Sequence, residues 1–272
     1  MLLQEYYTEK RDILSQYADD AAYDIKLLIC TALGMSENTF FTNMRLDMTD
    51  EQIAQADVLI SRRLEGEPLQ YILGKWSFMG LDFYVSPSCL IPRQDSETLT
   101  EFAINEVLRH KYSTVLDMCT GSGCIGIALA KKTAARVTLS DVSENALEMA
   151  RKNAELNNVD VDIICSDMFE KVSEKYDLIT VNPPYLTKSD MEALQREVKY
   201  EPYNALYGGD DGLKYYRIIA EKYASHLNDG GMLVMEIGSL QANDVCAMFE
   251  GSEVMTDLAG NDRVIVVRKQ VQ

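Results

Sequence analysis

The pattern of hydrophobic and polar positions divides the chain into a helical first part and an alternating α/β remainder. Residues 1–74 carry apolar positions at helical spacing. Tyr23–Leu33 is one such segment and stops at Gly34, and Thr49 with Gln52 forms a capping box that begins another helix. We predict a small helical bundle here. Because it contains no chemical motif, it is either a structural cap or, as we favour, a docking surface for a macromolecular substrate.

The pattern changes from helical to alternating after residue 74. Apolar residues alternate around a turn glycine, Gly80, which predicts a β-hairpin that links two domains over residues 75–92. Either Asp95 or Ser96 is then expected to cap a helix that ends near His110.

Residues 93–272 alternate between apolar strands and amphipathic helices. Strands are predicted at 114–117, 136–140, 161–165, 176–181 and 232–237, with helices at 123–132, 144–157 and 213–227. This order implies right-handed βαβ units in a mostly parallel, Rossmann-like sheet. Two closing strands, 253–258 and 264–267, flank a turn at Gly260 and predict an antiparallel hairpin. That ending is typical of a methyltransferase sheet and separates it from an ordinary dinucleotide-binding sheet.

Composition narrows the function classes. A formal net charge of −17 over 272 residues disfavours binding through nucleic-acid phosphates, and it suits a protein partner with a basic surface. The first residues include acidic side chains and no long apolar stretch, so we expect no signal peptide, no membrane span and a cytoplasmic protein. A monomer is expected.

Cysteine and histidine usage argues against a metal site. The six cysteines include no Cys-x-x-Cys pair and lie in apolar segments, which fits reduced, buried thiols. The two histidines, His110 and His226, fall near the predicted C-terminal ends of helices, where an imidazole commonly meets the last carbonyls. Neither is assigned to catalysis, and no metal is expected.

A glycine-rich turn follows the first strand of the predicted parallel sheet. Asp117–Gly123 lies where glycines allow a ligand to approach the backbone, and Gly121–Gly126 matches Gly-x-Gly-x-x-Gly. Asp141 ends the next strand, as expected for a carboxylate that binds ribose hydroxyls. These features alone fit NAD and S-adenosylmethionine almost equally well as the bound cofactor. Asp167 can accept from an adenine amino group beside the apolar Met168, or it is a helix cap or a solvated loop carboxylate.

The tetrapeptide Asn182-Pro183-Pro184-Tyr185 after the fourth strand favours S-adenosylmethionine and a nitrogen acceptor. An amide nitrogen is a poor nucleophile, so a catalyst must hold its hydrogens and aim its lone pair at the methyl donor. The Asn182 side-chain oxygen and the Pro183 carbonyl can each accept one N–H, and two prolines stiffen the loop. Tyr185 offers a flat face to a planar amide.

These motifs make the chain resemble the HemK/PrmC family of release factor glutamine N5-methyltransferases over nearly its whole length. Further stretches similar to the family are Pro68–Gly74, Leu90–Glu97, Glu201–Leu213 and Asp257–Arg263. The resemblance implies a class I methyltransferase domain over 93–272 and S-adenosyl-L-methionine as the methyl donor. It also implies class 1 peptide chain release factors as protein substrates, methylated on the glutamine of their Gly-Gly-Gln motif.

The resemblance also assigns roles to particular residues. It implies that the donor is bound by Cys119, Thr120, Gly121, Ser122, Gly123, Asp141, Asp167, Met168 and Asn182. It implies that the glutamine is received by Asn182, Pro183, Pro184 and Tyr185, of which Asn182, Pro183 and Tyr185 are catalytic. Two positions depart from the family pattern, since Cys119 stands where glycine is usual and Gln94 where proline is usual. Arg93 and Glu97 match the pattern, and their alternative interpretation is an interdomain ion pair.

Four other functions remain open as alternatives. Within methyltransferases, the acceptor could be a glutamine of a ribosomal protein or an amino group of a nucleic acid, although the acidic balance disfavours the latter. A NAD-dependent oxidoreductase follows from the glycine motif taken alone. A catalytically idle scaffold would bind the donor without transferring its methyl group.

Overall fold

The computed structural model describes residues 1–270, which form two compact units. The first unit comprises Met1–Gly74 together with Arg196–Tyr200, and the second comprises Lys75–Gln195 and the described residues from Glu201 onward. No helix among residues 1–270 is long and apolar enough to cross a bilayer.

The first unit is helical, as predicted. Its α-helices are α1 (Leu3–Leu14), α2 (Ala21–Leu33), α3 (Glu37–Phe40), α4 (Asp50–Leu64) and α5 (Leu69–Leu73), with 3₁₀ turns at Phe41–Asn43 and Val198–Tyr200. The capping box before α4 is confirmed: the Gln52 N–H donates to Thr49 Oγ1 (3.2 Å), and the Thr49 N–H donates to Gln52 Oε1 (3.0 Å). Helix α2 ends at Gly34 with φ of +62°, the left-handed conformation that glycine adopts at little cost.

A buried arginine attaches the segment Arg196–Tyr200 to this unit. Arg63 donates to Asp24 Oδ2 (2.7 Å) and to Glu197 Oε1 (2.6 Å). Burial raises the pKa of the Asp24 carboxyl, and the Arg63 guanidinium opposes that rise. The two carboxylates balance the positive charge of the buried guanidinium, and this ion pairing holds the segment Arg196–Tyr200 within the helical unit.

The second unit contains a seven-stranded sheet and a separate hairpin. Its strands are β1 (Lys75–Phe78), β2 (Leu81–Tyr84), β3 (Thr114–Met118), β4 (Arg136–Asp141), β5 (Asp162–Cys165), β6 (Tyr176–Val181), β7 (Leu227–Glu236), β8 (Glu253–Thr256) and β9 (Asp262–Arg268). Its helices are α6 (Asp95–His110), α7 (Cys124–Lys132), α8 (Glu144–Asn157), α9 (Lys188–Glu192), α10 (Tyr203–Leu206), α11 (Lys214–His226) and α12 (Ala242–Cys246).

The sheet has the order β5-β4-β3-β6-β7-β9-β8. Strands β3 to β7 pair in parallel, whereas β9 runs antiparallel to both β7 and β8. The predicted mostly parallel sheet with a reversed C-terminal hairpin is therefore confirmed. Alternate residues of each central strand enter two different cores, because side chains of a strand point to opposite faces of the sheet.

The hairpin β1–β2 belongs to the core beside α6, α7 and α8. Phe78 and Phe83 are buried in that core with their ring centroids 6.2 Å apart. Asn153 of α8 accepts from the Tyr84 N–H (2.7 Å) and donates to the Tyr84 carbonyl (3.1 Å). The role of residues 75–92 as a link between domains stays a prediction.

The predicted cap of α6 is wrong. Gln94 occupies the N-cap position, and no side chain caps the helix there. Asp95 instead pairs with Arg263 (3.0 Å), and the Ser96 hydroxyl donates to Glu236 (2.5 Å). Both side chains have tertiary partners that replace the local hydrogen bond a cap would make.

The third glycine of the Gly-x-Gly-x-x-Gly motif is a packing requirement. A Cβ on Gly126 would lie 2.2 Å from Leu139 Cδ2 and 3.0 Å from Asp117 Cβ, so α7 approaches the sheet as closely as a backbone can.

We expect Gly126→Ala to destabilise the protein by about 1–3 kcal/mol, because the methyl group overpacks a closed interface. Urea unfolding at equilibrium measures the change. Lys132→Ala in the same helix, at an exposed position, is the control and should change the free energy of unfolding by less than about 0.5 kcal/mol. Equal stability of the two variants would contradict the packing role.

Candidate active site

A cleft in the second unit lies at the C-terminal ends of β3, β4, β5 and β6. It encloses about 910 Å³, part of which is open to solvent. Of the residues predicted for the site, the lining includes Cys119, Thr120, Gly121, Ser122, Asp141, Asp167, Met168, Asn182 and Pro184. Gly123, Pro183 and Tyr185 are not part of the lining. The cleft is thus where both predicted motifs meet, at the sheet edge where open α/β folds bind ligands.

The buried carboxylate of Asp117 connects the two motifs. Asp117 Oδ2 accepts from the Thr120 hydroxyl (2.5 Å) and from the Gly126 N–H (3.1 Å), and Oδ1 accepts from the Thr180 hydroxyl (2.8 Å). Complete burial raises its pKa to about 6, and the three donors oppose that rise. One charge at the end of β3 therefore positions the glycine turn, the start of α7 and strand β6.

The glycine turn also orients the side chain of Asp141. The Gly121 N–H donates to Asp141 Oδ2 (2.9 Å), and the Ser143 N–H donates to Oδ1 (2.9 Å). Burial raises the pKa of Asp141, and these backbone donors oppose the rise. A carboxylate has about four acceptor positions, so acceptor capacity remains for the hydroxyl groups of a ligand.

Two non-glycine residues that line the cleft adopt left-handed backbone conformations. Cys119 has φ of +57° and Met168 has φ of +47°, and the Cys119 thiol lies 3.9 Å from Met168 Sδ. Such conformations cost roughly 1–2 kcal/mol each for a residue with a Cβ. The cysteine thus takes the conformation that glycine would allow, and its side chain packs on Met168 at the end of the neighbouring loop.

The residues around the turn fit S-adenosylmethionine. Asp167 is exposed at the cleft and offers acceptors for an amino group, while Met168 and Ile125 supply apolar surface for a planar base. A Cβ added to Gly121 would meet nothing nearer than 4.0 Å, so the turn leaves room beside its backbone. These residues could hold the adenosine portion of the donor.

Two glycines pack closely against the backbone of the Asn-Pro-Pro-Tyr loop. A Cβ on Gly208 would lie 2.7 Å from the Pro184 carbonyl oxygen, and one on Gly212, which has φ of +72°, would lie 2.4 Å from the Tyr185 carbonyl oxygen. Gln241 Nε2 also donates to the Tyr185 carbonyl (3.0 Å). The Tyr185 ring packs against the core beside α11, and burial raises the pKa of its phenol.

Asn182 has a defined partner that the sequence did not reveal. Its Nδ2 donates to Ser96 Oγ (3.2 Å), and the Ser96 hydroxyl donates to Glu236 Oε2 (2.5 Å). Ser96 and Glu236 are both buried, with 2% and 1% of their surface exposed. The only sequence signal for Glu236 is a lone carboxylate within the apolar run Met232–Ile237.

The interpretation of Arg93 and Glu97 as an interdomain ion pair is wrong. Arg93 instead pairs with the buried carboxylate of Glu201, which also accepts from the Ile91 N–H (3.0 Å). Glu97 accepts from the Met79 N–H (2.7 Å). Glu201 therefore fixes the segment Ser88–Arg93 that covers one side of the cleft.

The sheet order, the reversed β9 and the cleft between the glycine turn and Asn182 define a methyltransferase of class I architecture. Two family models agree with this class: residues 95–201 match the Methyltransferase small domain, and residues 6–74 match the PrmC N-terminal domain. The chain belongs to the release factor glutamine methyltransferase family, as the following relatives show.

Three relatives named release factor glutamine methyltransferase cover most of the chain. The Geobacter sulfurreducens protein is 40% identical over 91% of this chain and 89% of its own length. The Fusobacterium nucleatum protein is 38% identical over 92% and 73%, and the Thermodesulfovibrio yellowstonii protein is 37% identical over 95% and 96%, respectively.

Two solved structures share the fold at low sequence identity. The 16S rRNA methyltransferase of T. thermophilus, solved with AdoMet and guanosine, has a TM-score of 0.54 at 17% identity and covers 72% of this chain and 50% of its own. A methyltransferase from Pyrococcus furiosus has a TM-score of 0.52 at 19% identity, with 80% and 99% covered. They support the fold alone.

We expect Thr180→Val to destabilise the protein by about 1–3 kcal/mol at pH 8, because the buried Asp117 carboxylate loses one donor. The penalty should be smaller at pH 5, since a carboxyl with a raised pKa of about 6 is mostly protonated there in the folded state and has less need of donors. Urea unfolding at both pH values measures it.

Thr138→Val is the matched control. Thr138 lies buried on β4, and its hydroxyl is not one of the three donors to Asp117. Its substitution should cost less and show no such pH dependence. A Thr180→Val penalty that is equal at pH 5 and pH 8 would contradict the role given to Asp117.

Proposed function

We propose that this chain transfers the methyl group of S-adenosyl-L-methionine to the side-chain amide nitrogen (N5) of the glutamine in the Gly-Gly-Gln motif of class 1 peptide chain release factors. Membership of the family supports the acceptor, and the Asn-Pro-Pro-Tyr loop supports amide chemistry. One observation carries the proposal most directly: Asn182 shares a cleft with the glycine turn and Asp141, while its Nδ2 is already bonded within the protein. Its amide oxygen is therefore available to accept an N–H from the substrate.

Most of the rate enhancement in this proposal comes from orientation. S-adenosylmethionine, when bound, supplies an electrophilic methyl carbon on a cationic sulfur. Oδ1 of Asn182, a residue that lines the cleft, and the carbonyl of the adjacent Pro183, which is outside the lining, hold the two amide hydrogens in this proposal, so the nitrogen lone pair points at that carbon. The same two oxygens stabilise positive charge as it develops on the nitrogen. A bond forms from nitrogen to the methyl carbon while the carbon–sulfur bond breaks, and the nitrogen then releases one proton to solvent.

The release factor is the protein partner in this proposal, and we assign the helical unit Met1–Gly74 to docking it. The match to the PrmC N-terminal domain and the net charge of −17, which suits a basic protein surface, support the assignment. Because release factors act on ribosomes, the proposal places the enzyme in the cytoplasm.

The direct test is incubation with a purified class 1 release factor and methyl-labelled donor, followed by peptide mass mapping. We expect one methyl group on the Gly-Gly-Gln glutamine. Parallel reactions with ribosomal proteins and with ribosomal RNA test the alternative acceptors, and label appearing only there would overturn the proposal.

Donor binding separates the proposal from an oxidoreductase. Calorimetric titration with S-adenosylhomocysteine should show saturable binding, whereas NAD at the same concentrations should show none. The reason is that the cleft beside Asp141 and the glycine turn also contains Asn182 of the Asn-Pro-Pro-Tyr loop, which favours a methyl donor and a nitrogen substrate over a dinucleotide. Tight binding of NAD without binding of S-adenosylhomocysteine would reverse the assignment.

We expect Asn182→Ala to lower kcat by about 100-fold or more, since it removes an oxygen that supports developing charge. The Kd for S-adenosylhomocysteine should change by less than about threefold, because the main contacts proposed for the donor lie on the turn and Asp141. Asn204→Ala is the matched control, since it removes an amide that lines the same cleft, and it should leave kcat nearly unchanged. Equal loss of turnover and donor affinity in Asn182→Ala would contradict the role of Asn182.

A further inference from the structure

We infer that Ser96 and Glu236 are positioning residues that fix which end of the Asn182 amide faces the substrate. The inference rests on the proposed function and deepens it. It concerns a chain of two hydrogen bonds that joins three elements: Asn182 follows β6, Ser96 lies in the first turn of α6, and Glu236 ends β7.

The direction of this chain follows from the chemistry of its last member. An ionised carboxylate can only accept hydrogen bonds, so the single hydroxyl proton of Ser96 goes to Glu236 Oε2. The lone pairs of Ser96 Oγ then accept, and the group that donates to them is Nδ2 of Asn182. The oxygen Oδ1 must therefore occupy the other side of the amide.

The substrate requires this orientation. A glutamine amide nitrogen carries two hydrogens, and it is held in place only by acceptors. If Asn182 were rotated by 180° about its last bond, its NH₂ group would face the NH₂ group of the substrate. Two donors cannot satisfy each other, so the amide would be displaced from the methyl donor.

The charge on Glu236 adds to the effect of geometry. Hydrogen bonds in a chain polarise one another, so a carboxylate at one end increases the negative charge on Asn182 Oδ1 at the other end. An oxygen that carries more negative charge is a stronger acceptor for an N–H whose nitrogen becomes positive during transfer. Burial of Ser96 and Glu236 keeps water from breaking this chain.

Protonation of Glu236 would remove the constraint. A neutral carboxyl group can donate to Ser96, whose hydroxyl can then donate to Asn182, and both orientations of the amide become possible. Burial raises the pKa of Glu236 to about 7, whereas the hydrogen bond from Ser96 and the charge of Arg263 oppose the rise. The kcat should therefore be maximal above this pKa and should decline as the pH falls below it. The titratable or charged groups that influence Glu236 from neighbouring elements are Asp95 of α6, Cys124 of α7, Tyr185 after β6, Tyr216 of α11 and Arg263 of β9.

The experiment compares Ser96→Ala, Ser96→Thr and Glu236→Gln in the release factor assay. Ser96→Ala should lower kcat by about 10- to 100-fold, the usual effect of removing a partner that orients a functional group. Ser96→Thr keeps the hydroxyl and should restore most of the activity. The KM for the release factor and the Kd for S-adenosylhomocysteine should change by less than about threefold in all variants. Thr100→Val is the matched control: Thr100 is equally buried in α6, but its hydroxyl donates only to the Ser96 carbonyl (2.8 Å), and kcat should be unchanged.

The pH profile distinguishes positioning from a purely structural role. The kcat of the wild-type protein should fall below about pH 7, whereas Glu236→Gln should have a low kcat that does not vary over the same range. Carbon-13 NMR of the Glu236 carboxyl in the protein without ligands gives a second readout, in which Ser96→Ala should raise the pKa of Glu236 because a stabilising donor is lost.

The outcomes separate this inference from the proposed function. If the wild-type protein puts no methyl group on the glutamine, the proposed function fails, and the NMR shift in Ser96→Ala still tests the hydrogen-bond chain. If the wild-type protein is active and Ser96→Ala, folded by circular dichroism, has wild-type kcat, the inference is overturned. A Glu236→Gln variant that keeps the wild-type pH profile would overturn it as well.

Discussion

The structure of the second unit depends on one buried negative charge, the carboxylate of Asp117. It receives hydrogen bonds from Thr120 in the glycine turn, from the backbone of Gly126 in α7 and from Thr180 in β6. A buried carboxylate is costly unless such donors surround it, and these donors come from the elements that carry the two halves of the cleft. The turn whose Gly121 N–H binds Asp141 and the strand that leads to Asn182 are therefore held in place by the same side chain.

Local patterns predicted the fold well, because strands, helices and turns are encoded over short stretches of chain. Period-two and period-3.6 hydrophobicity located the strands and long helices of the second unit, and the turn at Gly260 predicted the reversed C-terminal hairpin that the sheet confirms. The glycine turn and the Asn-Pro-Pro-Tyr loop are also local motifs. Their meeting in one cleft follows from parallel strands that end at the same edge of a sheet.

Partners that are distant in sequence could not be predicted. Ser96 looked like a helix cap because serine commonly fills that position, but its hydroxyl is bonded to Glu236, 140 positions away. The sequence leaves an interdomain ion pair open for Arg93 and Glu97, yet Arg93 binds Glu201 of the same unit, 108 positions away. A local signal states only that a side chain can make a hydrogen bond. Which partner it takes is decided by tertiary packing, on which a single sequence carries little information.

The burial of Glu236 suggests why such a chain would persist despite its cost. A neutral residue at the end of β7 would avoid the desolvation of a charge, and stability alone would favour it. A neutral polar residue such as glutamine could also donate to Ser96, however, and the amide of Asn182 would then have two orientations of similar energy. A carboxylate excludes one of them, because it has no proton to give. In the proposed reaction the wrong orientation opposes two donors, so the protein exchanges some stability of the fold for a single arrangement of its acceptor, a relation common at functional sites.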